Sequence, residues 1–275
     1  MSELFALSWM GGGAERAFRR RRPGVDDLPW GTLRPRDYPP ELLDRARLAW
    51  TDGCFVEYAT AVQLAGVVQG LLQLRAPVDL IGMAGEFVAD EMLHVELHAR
   101  VVAELGGAVP YHVTAQALAA PPLDPEHPRR ALAALVLRTC CIGETLAVPV
   151  LAATRRVAAH PLVEAVLARV VEDEGPHAQL GWLFFEWVAL DDADRAALGA
   201  VAAAELASTR WLREGARSVV RDGRTSEGYE LAHVHALGWL DAEAYTPLMA
   251  QAAANIVSRL ARLGITLPEE AAAEG

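Results

Sequence analysis

A short pattern, Asp-Glu-x-x-His, occurs twice in this 275-residue chain, as Asp90-Glu91-Met92-Leu93-His94 and as Asp173-Glu174-Gly175-Pro176-His177. On a helix, residues three apart share a face, so each copy turns one carboxylate and one imidazole the same way. A lone glutamate in an apolar stretch precedes each copy. Glu57 is the only acidic residue between Gly53 and Pro77, and Glu144 is the only one between Ala131 and Pro161. Burying a carboxylate in such a setting is costly unless something compensates it. These four segments constrain the chain to bring four helical faces together around positive charge.

The punctuation of the sequence supports four long helices. The first is predicted from Pro40 to about Arg75, the second from Pro77 to about Leu105, where Gly106-Gly107 stop it. The third is predicted from Pro128 to Ala159, and the fourth from Pro161 to about Leu190. Residues 106–127 are long for a bundle loop and fit a crossover along the bundle. Asp191-Asp192-Ala193-Asp194 caps a fifth helix reaching about Val220, and a last helix is expected over 241–263. No strand-like alternation of useful length is evident. The expected organisation is an irregular arm over 1–39, a four-helix bundle over 40–190, and C-terminal helices over 191–275 packed on it. Trp9, Trp30 and Tyr38 are candidates to pin the arm.

Helical rise tests whether the charged residues meet. Glu57 lies about as far before Arg75 as Glu91 and His94 lie after Pro77. Because every helical residue advances the chain by the same rise, an antiparallel hairpin puts them at similar height. Glu144 stands as far before Ala159 as Glu174 and His177 stand after Pro161, so the second hairpin behaves the same way. Four glutamates and two histidines at one level form a ligand set for two metal ions. Glutamate and neutral imidazole suit iron or manganese, with zinc possible. Which glutamates would bridge stays open. Asp90 and Asp173 are expected to accept the distal N–H of a ligand histidine, Asp90 from His177 and Asp173 from His94, as carboxylates behind metal-bound histidines usually do.

A Glu-x-x-His alone is a weak signal. A third copy, Glu230-Leu231-Ala232-His233, lacks the preceding Asp and a matching lone glutamate, and reads as a surface turn. Solvated polar pairs would explain the first two copies only by ignoring the apolar lone glutamates, the matched heights and the repeated Asp. Helical spacing also turns Cys54, Phe87, His98, Cys140, Cys141, Val148, Val170 and Gly181 toward the site as candidate pocket-lining residues. Pro176, inside a ligand pair, cannot donate to the Glu172 carbonyl. A kink or π-type widening is therefore expected at about 172–176.

The constellation Glu57 … Glu91-x-x-His94 … Glu144 … Glu174-x-x-His177 resembles the ferritin-like di-iron carboxylate superfamily over about residues 40–190. Its members include ferritins, rubrerythrins, ribonucleotide reductase small subunits, bacterial multicomponent monooxygenases and arylamine N-oxygenases. The resemblance implies an all-α, ferritin-like four-helix bundle with a long crossover. It implies two iron ions, with manganese or a mixed manganese–iron pair as the alternative. The spacings from lone to paired glutamate, Glu57 to Glu91 and Glu144 to Glu174, are similar to those of the N-oxygenases. Val170 stands where that family has a seventh ligand, a histidine. His98 stands where reductase-like members hold a radical tyrosine, so that role is not expected. The implied activity is O2-dependent oxidation of a small organic substrate by hydroxylation, N-oxygenation or desaturation, fed by an external electron donor. The alternative is an iron-handling ferroxidase or storage protein.

Composition narrows the rest. Half of the chain is hydrophobic, which supports a sizeable helical core. A net charge of −11 argues against a nucleic-acid partner, although two divalent cations would offset four of those charges. Every basic residue is arginine, which reads as coding bias. Cys54, Cys140 and Cys141 form no Cys-x-x-Cys pair and fit a reducing compartment. The apolar run Leu4–Met10 precedes its charges, the wrong order for a signal peptide. The longer apolar stretches hold Glu57 or Glu144 and read as core helices. A cytoplasmic monomer or homodimer with no membrane partner is expected.

Overall fold

A computed structural model describes residues 2–209 and 219–268. The architecture is mostly helical, with helices packed in pairs. The arm holds strand β1 (Ser2–Leu4) and helix α1 (Gly12–Arg21). Helices α2 (Pro40–Gln73) and α3 (Val78–Glu104) follow, then strand β2 (His112–Thr114). The third long helical segment has three parts: α4 (Pro128–Val136), a π-helical stretch (Leu137–Glu144) and α5 (Thr145–Val157). Helices α6 (Pro161–Trp187) and α7 (Asp192–Ser208) precede a short hairpin, β3 (Val220–Arg221) with β4 (Arg224–Thr225). Helices α8 (Leu231–Ala236) and α9 (Ala242–Arg262) end the described chain.

Cross-helix neighbours give the directions. Trp50 meets His98 and Cys54 meets Val95, so α2 and α3 are antiparallel. Asp90 faces His177 and His94 faces Asp173, so α3 and α6 are antiparallel as well. Gly181 on α6 abuts Cys140 and Cys141, while Gly66 and Gly70 on α2 abut Leu135 and Leu132. The third segment therefore opposes both α6 and α2, and runs parallel to α3. The connection from α3 must travel the bundle's length to start it, and Gln63 of α2 donates to the Ala119 carbonyl on the way.

The helices bury apolar stripes at both ends and a polar layer between them. One core cluster takes Leu64, Val67 and Leu71 from α2, Leu80 and Phe87 from α3, and Leu180 and Phe184 from α6. The other takes Leu42 and Trp50 from α2, Leu97 and Val101 from α3, and Leu162 and Val170 from α6. The candidate ligands lie where these two clusters meet. Met249, Ile256 and Leu260 of α9 and Leu198 of α7 join the first cluster, so the C-terminal helices seal that end.

Several sequence expectations require correction. The arm is not irregular throughout: α1 is a regular helix held against α3 by arginines, and β1 pairs with β2. These short strands and the β3–β4 pair fall below what alternation can reveal. The fifth helix ends at Ser208, and its expected continuation over 210–218 lies outside the described residues. Helix α6 passes through Gly175 and Pro176 as unbroken α-helix, and the widening lies in the opposite segment, at Leu137–Glu144. Gly175, Pro176 and Glu172 are all exposed, so the proline ring stands outward and solvent can reach the carbonyl it leaves unpaired.

Two helical stretches, Pro40–Gln73 and Pro128–Val157, are long and apolar enough to cross a membrane by length and composition alone. More than half of the apolar window in Pro128–Val157 is buried inside the protein.

Close approach of α6 to the π-helical stretch depends on one glycine. A Cβ on Gly181 would lie 2.6 Å from Cys141 Sγ, 2.9 Å from Cys140 Cβ and 3.0 Å from the Cys141 amide nitrogen. Gly181→Ala is expected to cost about 1–3 kcal/mol, the usual range for overpacking a filled core. Denaturant unfolding checks this, and an unchanged midpoint would show that the two segments separate freely.

Candidate metal centre

Six side chains from four helical segments converge in the polar layer. They form two overlapping groups: Glu57, Glu91, His94 and Glu174, and then Glu91, Glu144, Glu174 and His177. Within each group the donor atoms lie within 4.8 Å of one another. Glu91 and Glu174 belong to both. Glu174 turns Oε1 to His94 Nδ1 at 3.1 Å and Oε2 to His177 Nδ1 at 3.2 Å. Glu91 turns Oε2 to His94 Nδ1 at 3.7 Å and Oε1 to His177 Nδ1 at 3.1 Å. Each of these carboxylates thus spans both halves, whereas Glu57 and Glu144 each serve one. This division was left open by the sequence.

Burial makes the arrangement demanding. The side chains of Glu91, His94 and His177 are fully buried, and Glu57 is the least buried, with 15 % of its side chain exposed. Both oxygens of Glu91, Oε2 of Glu174 and Nδ1 of both histidines have no hydrogen-bond partner. Buried polar atoms are rarely left so. All of them point inward, and oxygen and imidazole nitrogen are the donors that first-row divalent metals take. The residues present fit a pair of such ions.

The electrostatics set the four carboxyls of the cluster against its two imidazoles. Burial pushes the Glu57 and Glu144 carboxyls well above the usual range, and the neighbouring carboxylates push them the same way. Burial would raise Glu91 and Glu174 too, but the His177 and His94 imidazoles that face them hold both below the ordinary value. Burial disfavours the charged imidazoles, yet the facing carboxylates raise His94 well above its ordinary value and His177 to about 11. The surroundings therefore favour the charged form of the two imidazoles and of Glu91 and Glu174, and the protonated form of Glu57 and Glu144.

Behind the histidines stand the two aspartates, each on the opposite helix. Asp173 Oδ2 lies 3.3 Å from His94 Nε2. Asp90 Oδ2 lies 3.7 Å from His177 Nε2, longer than a formed hydrogen bond. Each aspartate also meets an arginine that sequence reasoning missed. Arg169 reaches Asp173 at 3.3 Å, one turn along its own helix, a spacing that could have been read. Arg22 reaches Asp90 at 2.7 Å from the arm, and no local pattern signals that contact.

The candidate pocket residues scatter. Cys140, Cys141, Val170 and Gly181 lie in packed core, because α6 and the π-helical stretch close on each other there. Val148 is half-buried on α5. Phe87 lays its ring 4.1 Å from the His177 ring, walling that histidine off. His98 is held by its Nδ1 at 2.8 Å from the His94 carbonyl and by the Trp50 ring at 5.0 Å, and its Nε2 faces Glu57 Oε1 at 3.7 Å. Burial lowers its pKa to about 4, so it is neutral and Nε2 is an acceptor. Only Cys54 among these residues borders the cavity of about 290 Å³ between α2, α3 and the arm, with Phe5, Leu7, Ala99 and Val102. Burial, assisted by Glu57, pushes its thiol up to about 12. The third Glu-x-x-His is peripheral: Glu230 is exposed and pairs with Arg224.

Compared with protein-family models, curated proteins and solved structures, the chain matches none.

Proposed function

We propose that this chain is a ferritin-like, carboxylate-bridged di-metal oxidoreductase that uses O2 to oxidise a small organic substrate. The observation that carries this reading is the pair of buried ligand groups sharing Glu91 and Glu174. Two antiparallel pairs of helical segments joined by a long crossover support the ferritin-like part. Glu57 and His94 would hold one ion, Glu144 and His177 the other, and Glu91 and Glu174 would lie between them. Two iron ions are the preferred occupants, with manganese or a mixed pair as the alternative. When bound, such a pair supplies electrons and Lewis acidity to O2.

The chain's own residues supply the surroundings. Leu93, Leu180, Phe87 and Cys140 exclude water from the layer. Asp173 holds His94 by its Nε2 and Asp90 stands behind His177, so that Nδ1 of both histidines turns inward. Glu57, the least buried carboxylate, marks the accessible side. The substrate's place would be the cavity that Cys54 borders, one helical turn along α2 from Glu57. Thr51, the hydroxyl in that wall, already donates to the Arg47 carbonyl. The cavity therefore offers little but carbon, which selects a neutral, apolar substrate. Hydroxylation, N-oxygenation and desaturation are the reactions in view, and the electrons come from an external donor.

The test is anaerobic loading with iron(II), followed by elemental analysis, sedimentation and O2 uptake with a reductant and a panel of neutral apolar compounds. About two metals per chain, a monomer or dimer, and substrate-dependent O2 consumption are expected. A large shell with a mineral core, consuming O2 in proportion to iron alone, would replace this reading with iron handling. A chain that takes up no metal would end it.

A further inference from the structure

Helix α1 is fastened to α3 at two points. Arg19 pairs with the buried Glu96, which also holds Arg100. One turn later, at the C-terminal end of α1, Arg22 inserts its side chain until 7 % remains exposed. A buried guanidinium is expensive unless its donors are met. Here Nη2 lies 2.7 Å from Asp90 Oδ1 and 3.7 Å from Glu86 Oε2, and it donates to the Glu86 carbonyl at 3.4 Å. Nη1 donates to the Arg21 carbonyl at 3.1 Å, and Nε alone is left without a partner among this guanidinium's nitrogens. The other oxygen of Asp90 is the one that faces His177 Nε2. The outer support of the two histidines is therefore unequal. His94 is backed by Asp173 and by Arg169 of the same helix, a partly exposed pair. His177 is backed by Asp90 and by a buried arginine borrowed from the N-terminal arm, far from either residue in sequence.

We propose that Arg22 is a positioning residue for the His177 half of the centre, acting through Asp90, so that docking of the N-terminal arm and occupancy of that half are coupled. The inference rests on the di-metal reading above. With Oδ1 clamped by Arg22, the Asp90 carboxylate has one orientation, which keeps Oδ2 facing His177 Nε2 at 3.7 Å while Nδ1 turns toward the other candidate ligands. Without the clamp the carboxylate can rotate, and the imidazole loses its orientation. Outer partners of metal-bound histidines typically contribute about 10–100-fold in metal affinity. Coupling is reciprocal, so filling that half must also tighten the arm.

The experiment uses the full chain loaded with zinc(II) alone and challenged with a chromophoric chelator. In Arg22→Met, one of two metals is expected to leave about 10–100-fold more readily, with the other unchanged. Arg22→Met and Asp90→Asn combined should lose no more than Asp90→Asn alone, because both act through one carboxylate. A merely structural role for Arg22 would instead give additive losses. Hydrogen exchange on the unmutated chain provides a second readout that does not depend on the variant folding. Amides of residues 12–22 should gain protection on zinc loading, and Asp90→Asn should abolish the gain. Unchanged metal retention in Arg22→Met, additive losses, or an arm indifferent to zinc would each overturn the proposal. If the unmutated chain holds two metals and Arg22→Met holds them equally, this inference alone falls. If the unmutated chain binds no zinc, the di-metal reading falls first and takes the inference with it.

Discussion

Alanine substitutions at the six candidate ligands are expected to divide into two classes by metal stoichiometry. Glu91→Ala and Glu174→Ala should each lose both metals, because each carboxylate belongs to both groups. Glu57→Ala, His94→Ala, Glu144→Ala and His177→Ala should each lose about one, because each serves a single half. The double variant Glu144→Ala/His177→Ala should keep no more than one metal per chain. Such losses are large, because an ion left with the shared carboxylates and little else has no fixed coordination. Elemental analysis after gel filtration reads the count directly. Two metals retained in the double variant would refute the ligand assignment. One metal lost from Glu91→Ala or Glu174→Ala would refute the bridging roles but leave the site standing.

Loading two divalent ions at neutral pH is expected to release protons. The release follows from the cluster itself. Glu57 and Glu144 are biased toward their protonated forms because they are buried beside other carboxylates. His94 and His177 are held charged by the carboxylates that face them. All four must deprotonate to bind metal, whereas Glu91 and Glu174 are already ionised. Affinity for the pair should then fall on acidification near neutrality. A weakly buffered titration with an indicator dye measures the release. No release would show that the cluster is already deprotonated.

The same groups set the pH dependence of the metal-free chain. Raised folded values for both histidines mean stability that is present below about 6.5 and lost as pH rises toward 11. Raised values for Glu57 and Glu144 act in the same direction from about 4.5 upward. The metal-free protein should therefore melt at a lower temperature at pH 9 than at pH 6, and metal loading should remove that slope.

Much of the molecule was legible one residue at a time. Prolines at 40, 128 and 161 start helices, as their missing N–H and fixed φ favour. Asp191 and Asp241 cap helices α7 and α9 through their side chains. Spacing along the four long helical segments placed Glu57, Glu91, His94, Glu144, Glu174 and His177 at one level, and it put Asp90 and Asp173 on the faces turned to the opposite histidines. These are consequences of the constant rise and period of the α-helix, which belong to the chain before it folds.

Other features were decided only when the helices met. The sharing of Glu91 and Glu174 between both halves depends on how deeply each helix sits. The widening fell at Leu137–Glu144 and not at Pro176. That proline lies on a solvent face where α6 can pass it, whereas the π-helical stretch lies against Gly181, at close approach to α6. Arg22 reached Asp90 from an arm whose composition suggested only an irregular segment pinned by aromatic residues. Periodicity states which face of a helix must be covered, but the cover is chosen by close packing among segments distant in sequence, and that choice has no local signature.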